Sequence, residues 1–255
     1  MSFNVPADAY GRFMGQYSEP LAAQFVEFAD VHPGQQALDV GCGPGALTAQ
    51  LVERLGIADV AAVDPSAPFV AAAKARFPDL DVRTGGAENL PFADDSFDVA
   101  LAQLVVHFMT DPVAGLGEMA RVTRPGGVVA ACVWDHGGSS GPLFAFWQAV
   151  RDTDPAAGDE SELAGAREGH LAELFETAGL TDIEPGKLTV GNRFATFEEW
   201  WDPFTLGVGP AGAYVAKLDE PGRAALRTRC AQRLPPAPFQ VSASAWSVRG
   251  RSPGA

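Results

Sequence analysis

The chain has 255 residues, of which 47% are hydrophobic and 20% are charged, which is enough apolar material for one large α/β domain. Its 32 acidic residues outnumber its 18 basic residues, and the net charge of -14 argues against nucleic acid or an anionic membrane as a partner and favours a small molecule. The three cysteines lack paired spacing, and we recognise neither a leader peptide nor a membrane span, so we expect no metal site and a cytoplasmic location.

The first half of the chain alternates predicted strands with predicted helices. Short apolar runs that end in glycine or an acidic residue predict buried strands, and apolar residues spaced by three or four predict helices. Strands separated by helices favour a parallel sheet with right-handed crossovers. We expect strands at 37–40, 60–63, 80–83, 97–103 and 128–134, and helices at 21–29, 46–55, 69–76 and 112–121.

The second half of the chain is patterned differently. Residues 143–151, 170–178 and 212–234 have helical periodicity, 183–194 and 239–248 are predicted strands, and 154–167 is polar and weakly patterned. Aromatic residues cluster in this half and are expected either to pack a helical cap or to line an apolar pocket. They are Phe144, Phe146, Trp147, Trp200, Trp201 and Phe204.

A glycine-rich turn, DVGCGPG at 39–45, follows the first strand and opens a helix. Glycines allow a close backbone approach to a ligand, and a helix N-terminus offers free N–H groups. Asp64 closes the next strand, where a carboxylate can accept hydrogen bonds from ribose hydroxyls. These features predict a nucleoside-bearing cofactor but leave NAD and S-adenosylmethionine open, since Gly41, Gly43 and Ala46 also satisfy a dinucleotide fingerprint.

Three segments further along the chain separate the two cofactors. GGAENLPF at 85–92 follows the third strand, DDSFDV at 94–99 enters the fourth, and RVTRPGG at 121–127 precedes the fifth. In this order, and with the glycine turn, they resemble the class I S-adenosylmethionine-dependent methyltransferases, in the broad group similar to ubiquinone and menaquinone biosynthesis C-methyltransferases. The resemblance is strong over 37–134 and weaker over 10–18.

The resemblance implies a fold, a cofactor and a reaction. The fold is a single doubly wound α/β domain over 1–255, with a mostly parallel seven-stranded sheet whose last strand is antiparallel. Cap elements are expected at about 137–170 and 197–235. The residues themselves, with polar-tipped Tyr10, Arg12 and Tyr17 beside apolar Phe13 and Met14, predict that about 1–20 is a lid or, alternatively, a helix that packs on the sheet. The cofactor is S-adenosylmethionine, with S-adenosylhomocysteine as product, and the methyl group goes to a small-molecule acceptor through carbon, oxygen or nitrogen.

The resemblance also implies a cofactor site. Its residues are expected at the ends of the first, second and fourth strands and after the third. They are Asp39, Gly41, Gly43 and Gly45 under the methionine part, Asp64 at the ribose, Pro65 and Ser66 at the adenosine, Ala87 and Glu88 at the adenine, and Gln103 facing the methyl group. In the lid, Arg12 is expected to pair with the methionine carboxylate, and Tyr10 or Tyr17 to share that contact.

Two histidines follow predicted strands at the edge where such sheets bind ligands. His107 comes after the fourth strand and His136 after the fifth, and each is a candidate general base or, alternatively, a packing residue. Two other functions stay open at this point: an NAD-dependent oxidoreductase, and a module that binds S-adenosylmethionine without turnover. A homodimer is an open arrangement.

Overall fold

One seven-stranded sheet organises the residues that the computed structural model describes, 7–254. The strand order is β3-β2-β1-β4-β5-β7-β6. Neighbours are parallel from β3 to β5, and β7 pairs antiparallel with both β5 and β6. The predicted fold is therefore confirmed, including its antiparallel last strand. The strands are β1 (Ala37–Val40), β2 (Val60–Asp64), β3 (Asp81–Thr84), β4 (Phe97–Gln103), β5 (Thr123–Trp134), β6 (Thr181–Phe194) and β7 (Phe239–Arg251).

Helices cover both faces of the sheet. Alternate residues of a strand point to opposite faces, and in β2 Val60 and Ala62 join the hydrophobic core beneath α2 to α4, whereas Ala61 and Val63 join the core beneath α5 and α7. The helices are α1 (Ala7–Tyr10), α2 (Gln16–Phe28), α3 (Ala46–Leu55), α4 (Ala67–Arg76), α5 (Pro112–Val122), α6 (Phe144–Arg151), α7 (His170–Thr177), α8 (Phe197–Trp201), α9 (Gly209–Lys217) and α10 (Glu220–Arg233).

The structure corrects three predicted elements. The helix expected at 212–234 is two helices, because the Asp219 side chain accepts a 2.8 Å hydrogen bond from the Gly222 N–H and so caps α10. Pro221 follows in the first turn, where its missing N–H costs nothing. Strand β5 begins at 123 rather than 128, and α2 begins at 16 rather than 21.

The segment before β1 packs on the domain. It runs from α1 through a π-helical turn, Gly11–Gly15, into α2. Phe13 packs edge-on against Phe204 at 5.3 Å, and Tyr17 against Trp134 at 6.3 Å. Residues 1–6 of the predicted lid lie outside the described residues. Within 7–254, none of the helices combines the length and apolar character that a membrane crossing requires.

Candidate active site

The glycine turn after β1 bends sharply toward α3. Gly41, Gly43 and Gly45 all have positive φ, at 72°, 53° and 92°. A Cβ atom on Gly41 would lie 2.5 Å from Cγ2 of Val105, so this glycine permits close packing on the segment after β4. A Cβ atom on Gly43 would meet no atom within 4 Å, because it would project into open space. The turn therefore leaves an open space above Gly43, which we call the cradle.

Asp64 closes the side of this cradle at the end of β2. Its Oδ2 accepts a hydrogen bond from the Gly43 N–H and its Oδ1 one from the Ser66 N–H, both at 2.8 Å. Burial raises the pKa of Asp64, and these two backbone donors oppose that shift. A carboxylate has about four acceptor positions, so about two remain for a ligand.

A cavity of about 330 Å³ lies at the carboxyl ends of β1, β2 and β4, and we call it the cofactor cavity. Its volume lies at the lower end of the range of small-molecule sites. It brings together nine predicted residues: Tyr10, Gly41, Gly43, Asp64, Pro65, Ser66, Ala87, Glu88 and Gln103.

Two polar side chains of the cofactor cavity have different surroundings. Oε1 of Glu88 accepts a 2.7 Å hydrogen bond from the Thr110 N–H, so this carboxylate holds the segment after β4. Gln103 is 9% exposed and its Nε2 donates to the Ser18 carbonyl at 3.0 Å. Its Oε1 is buried with no hydrogen-bond partner among residues 7–254. Buried hydrogen-bond acceptors are normally paired, so an unpaired acceptor in a residue of the cavity wall is consistent with a bound ligand donating the missing hydrogen bond.

Four predicted cofactor residues lie outside this lining. Arg12 is exposed, and Tyr17 is buried in the core, where burial raises its pKa. Gly45 caps α3, and a Cβ there would lie 2.9 Å from the Phe77 ring. Asp39 is 1% exposed and accepts a 2.5 Å hydrogen bond from Thr48 Oγ1, so it anchors the turn from below. Burial raises the pKa of Asp39 to about 7.

A second, smaller cavity of about 40 Å³ adjoins the first, and we call it the acceptor cavity. Both predicted histidines line it, with ring centroids 5.9 Å apart. Tyr10, Leu104 and Phe108 line both cavities, so they form the boundary between them. The remaining lining is Phe13, Met14, Trp134, Leu143, Glu160, Val208, Gly209, Pro210 and Ala211.

Both histidines are neutral near pH 7. Burial, with a smaller contribution from His136, lowers the pKa of His107 well below its ordinary value. Burial lowers the pKa of His136 to about 4, although Asp135 and Asp159 oppose the shift. Nδ1 of His107 is buried without a hydrogen-bond partner among residues 7–254. A packing histidine is normally satisfied, so this geometry favours a functional role.

Sequence reasoning missed part of both linings. Residues 104, 105 and 108–110 could have been found, since, like the predicted His107, they follow β4 at the edge where parallel sheets bind ligands. Glu160 and 208–211 come from the weakly patterned half and carried no local signal. The aromatic cluster lines neither of the two cavities; Phe146 stacks on Phe204 at 4.5 Å, which supports the packing alternative.

Comparison with known proteins identifies this arrangement. A family model described as a methyltransferase domain matches residues 38–131. A demethylmenaquinone methyltransferase of Paenarthrobacter aurescens is 32% identical over 184 residues, which span 65% of this chain and 70% of the relative. The chain belongs to the class I S-adenosylmethionine-dependent methyltransferases. S-Adenosylmethionine is accordingly the cofactor, and the NAD alternative falls away.

Two further matches add a second curated relative and a solved structure. A malonyl-[acyl-carrier protein] O-methyltransferase of Pectobacterium atrosepticum is 34% identical over 153 residues, which span 58% of this chain and 59% of that protein. Among solved structures, phosphoethanolamine N-methyltransferase 2 of Haemonchus contortus, in complex with S-adenosyl-L-methionine, has a TM-score of 0.58 and 16% identity. That match covers 97% of this chain and 57% of the other, and it shows the shared fold.

Proposed function

We propose that the protein methylates a small molecule that carries no anionic group and places its reacting atom in the acceptor cavity, with His107 or His136 as the proton acceptor. The observation that carries the proposal is the pair of adjoining cavities, which share only three lining residues among those described, with Asp64, Glu88 and Gln103 in the cofactor cavity and the two histidines in the acceptor cavity. The boundary matters because methyl transfer requires donor and acceptor atoms to be held in contact and in line.

The cofactor cavity supplies the contacts that S-adenosylmethionine needs. The unused acceptor positions of Asp64 suit ribose hydroxyls, and the open space above Gly43 suits the methionine part. Gln103, whose Oε1 has no hydrogen-bond partner among residues 7–254, lines the same cavity. Bound there, the cofactor supplies an activated methyl group on a sulfonium sulfur. The protein therefore needs mainly to align the two molecules, exclude water and remove a proton.

The histidines are suited to that proton transfer. A neutral imidazole nitrogen can accept the proton of an acceptor O–H or N–H as the new bond to the methyl carbon forms. The electron pair of the broken bond stays on the sulfur, so the positive charge leaves the sulfur and appears on the imidazole as the proton arrives. A carbon acid would lose its proton to the same nitrogen, and C, O and N acceptors all stay open.

The lining of the acceptor cavity disfavours an anionic acceptor. It contains neither lysine nor arginine, and both of its imidazoles are neutral. A free carboxylate would therefore lose its hydration without a counter-charge. Of the activities named for the relatives, an apolar acceptor such as demethylmenaquinone suits this lining better than the carboxyl group of a malonyl thioester.

A screen for released S-adenosylhomocysteine tests the proposal. Phenolic and quinol-type compounds should be methylated in preference to aliphatic carboxylates of similar size. At least one of His136→Asn and His107→Asn should reduce kcat at least about tenfold with unchanged S-adenosylhomocysteine affinity, since a positioned base contributes about 10²–10⁴. Full activity in both variants and in the double variant, or a clear preference for carboxylates, would contradict the proposal.

Several finer expectations belong to this proposal. We propose that 1–255 is one domain, that the segment up to about residue 20 acts as a lid, and that 137–170 and 197–235 form the cap. Tyr10 supports the lid, since it lines both cavities and packs on Phe69 at 5.4 Å. The cytoplasmic location and the homodimer stay predictions, and light scattering coupled to size-exclusion chromatography tests the dimer.

A further inference from the structure

A buried carboxyl group forms part of the wall of the acceptor cavity. Glu160 lies in the loop between α6 and α7 and is only 4% exposed. Its Oε2 accepts a 2.8 Å hydrogen bond from the indole Nε1–H of Trp147. Among residues 7–254 the Glu160 carboxyl group makes no other hydrogen bond and no ion pair. Its second oxygen is therefore available to a molecule in the cavity.

The surroundings of Glu160 leave its charge uncompensated. Arg151, at the end of α6, is paired with Asp159, the residue next to Glu160, and Arg167 is paired with Glu173. Burial raises the pKa of Glu160 to about 7, with Asp159 raising it further and the Trp147 hydrogen bond opposing. A buried carboxyl group without a cation is costly. Holding the Trp147 indole would need only a neutral acceptor such as glutamine, so that role alone does not account for the carboxyl group.

We infer that Glu160 selects the methyl acceptor by accepting a hydrogen bond from an O–H or N–H group on an otherwise apolar small molecule. This inference rests on the proposed function, because it assumes that the acceptor enters this cavity. Either a hydroxyl or an ammonium group can supply the donor, while a carboxylate or phosphate would be repelled. Glu160 is thus a specificity-determining residue in the same lining as the two histidines.

Four fluorinated probes of similar shape test the inference. Binding of 4-fluorophenol, 4-fluorobenzylamine, 4-fluorotoluene and 4-fluorobenzoate to the full-length protein saturated with S-adenosylhomocysteine can be measured by ¹⁹F NMR. At least one of the two probes that carry a hydrogen-bond donor, 4-fluorophenol and 4-fluorobenzylamine, should bind at least about fivefold more tightly than 4-fluorotoluene. 4-Fluorobenzoate should bind most weakly. Whether the phenol or the amine binds more tightly distinguishes the two sources of the donor.

Glu160→Gln should at least halve the ratio of the affinity for the hydrogen-bond-donating probe to the affinity for 4-fluorotoluene. It should also improve the binding of 4-fluorobenzoate. Glu162→Gln is the matched control, because it removes the same charge from an exposed side chain two residues away and should change neither ratio. A wild-type preference below fivefold, or one that Glu160→Gln leaves unchanged, overturns the inference. If the wild-type protein does not bind S-adenosylhomocysteine or shows no turnover, that result counts against the proposed function and not against the role of Glu160. Failure of the inference and failure of the proposed function are therefore distinguishable.

Discussion

Substituting Gly43 with alanine tests whether the cradle above the glycine turn holds the cofactor. Gly43 has a φ of 53°, a left-handed conformation that costs an L-residue about 1 kcal/mol. Its added methyl group would meet no protein atom within 4 Å. The variant should therefore fold, with a melting temperature lower by about 2–4 °C for a chain of this size.

Cofactor binding should suffer more than folding in this variant. The new methyl group would occupy space in the cofactor cavity, and forcing a methyl group into filled space typically costs about 1–3 kcal/mol. We expect the affinity for S-adenosylhomocysteine, measured by isothermal titration calorimetry, to fall at least about tenfold.

Gly179→Ala is the matched control for backbone strain. Gly179 has a φ of 82°, follows the end of α7, and also has open space where its Cβ would be. It lies outside the cofactor cavity, so this variant should lose similar stability and bind S-adenosylhomocysteine normally. Equal affinities for the two variants would refute the placement of the cofactor above Gly43.

Three further predictions concern titratable or charged side chains. Asp64→Asn should weaken S-adenosylhomocysteine binding by about 1.5–3 kcal/mol in calorimetry, because an amide cannot accept all the hydrogen bonds of a carboxylate. Asp79→Asn, at an exposed position, is the control and should leave this affinity unchanged. Because the pKa of His136 is about 4 in the fold and about 6.5 when unfolded, protonation favours unfolding, so stability should fall as pH drops from 6.5 to 4. His136→Asn should flatten that part of the melting-temperature profile and His32→Asn, at an exposed site, should not; equal profiles would contradict the assignment. Arg12→Ala should change S-adenosylhomocysteine affinity less than about twofold, since Arg12 is exposed outside the cavity; a tenfold loss would instead support its pairing with the methionine carboxylate.

The parts of the fold that the sequence predicts best are those with local signals. Strands β1 and β4 begin and end where their apolar runs do, because both are buried in the centre of the sheet. The start of β5 was missed because RPGG at 124–127 is typical of a turn. Its pairing depends on the distant contact of Thr123 with Phe97, which no local pattern contains.

The same distinction applies to the site. The glycine turn and Asp64 were predictable because a strand end, glycines and an acid lie in one short stretch each, and their positions in the structure follow from parallel strand order. Glu160 was not predictable, because its segment has no periodicity and becomes part of a cavity only through packing against Trp147 of α6. Tertiary contacts, rather than local preference, build that half of the site.

The boundary between the two cavities connects these halves. Leu104, directly after β4, has a φ of 61°, a strained conformation for a branched side chain, and it lines both cavities. Its N–H donates a 2.8 Å hydrogen bond to the Cys132 carbonyl of β5, which fixes the strained backbone in place. The sheet itself therefore holds the strained backbone at the boundary between the two cavities. Leu104 is fixed to β5, whereas Glu160 lies in a loop, so we expect substitutions at Glu160 to change acceptor preference without disturbing the cofactor cavity.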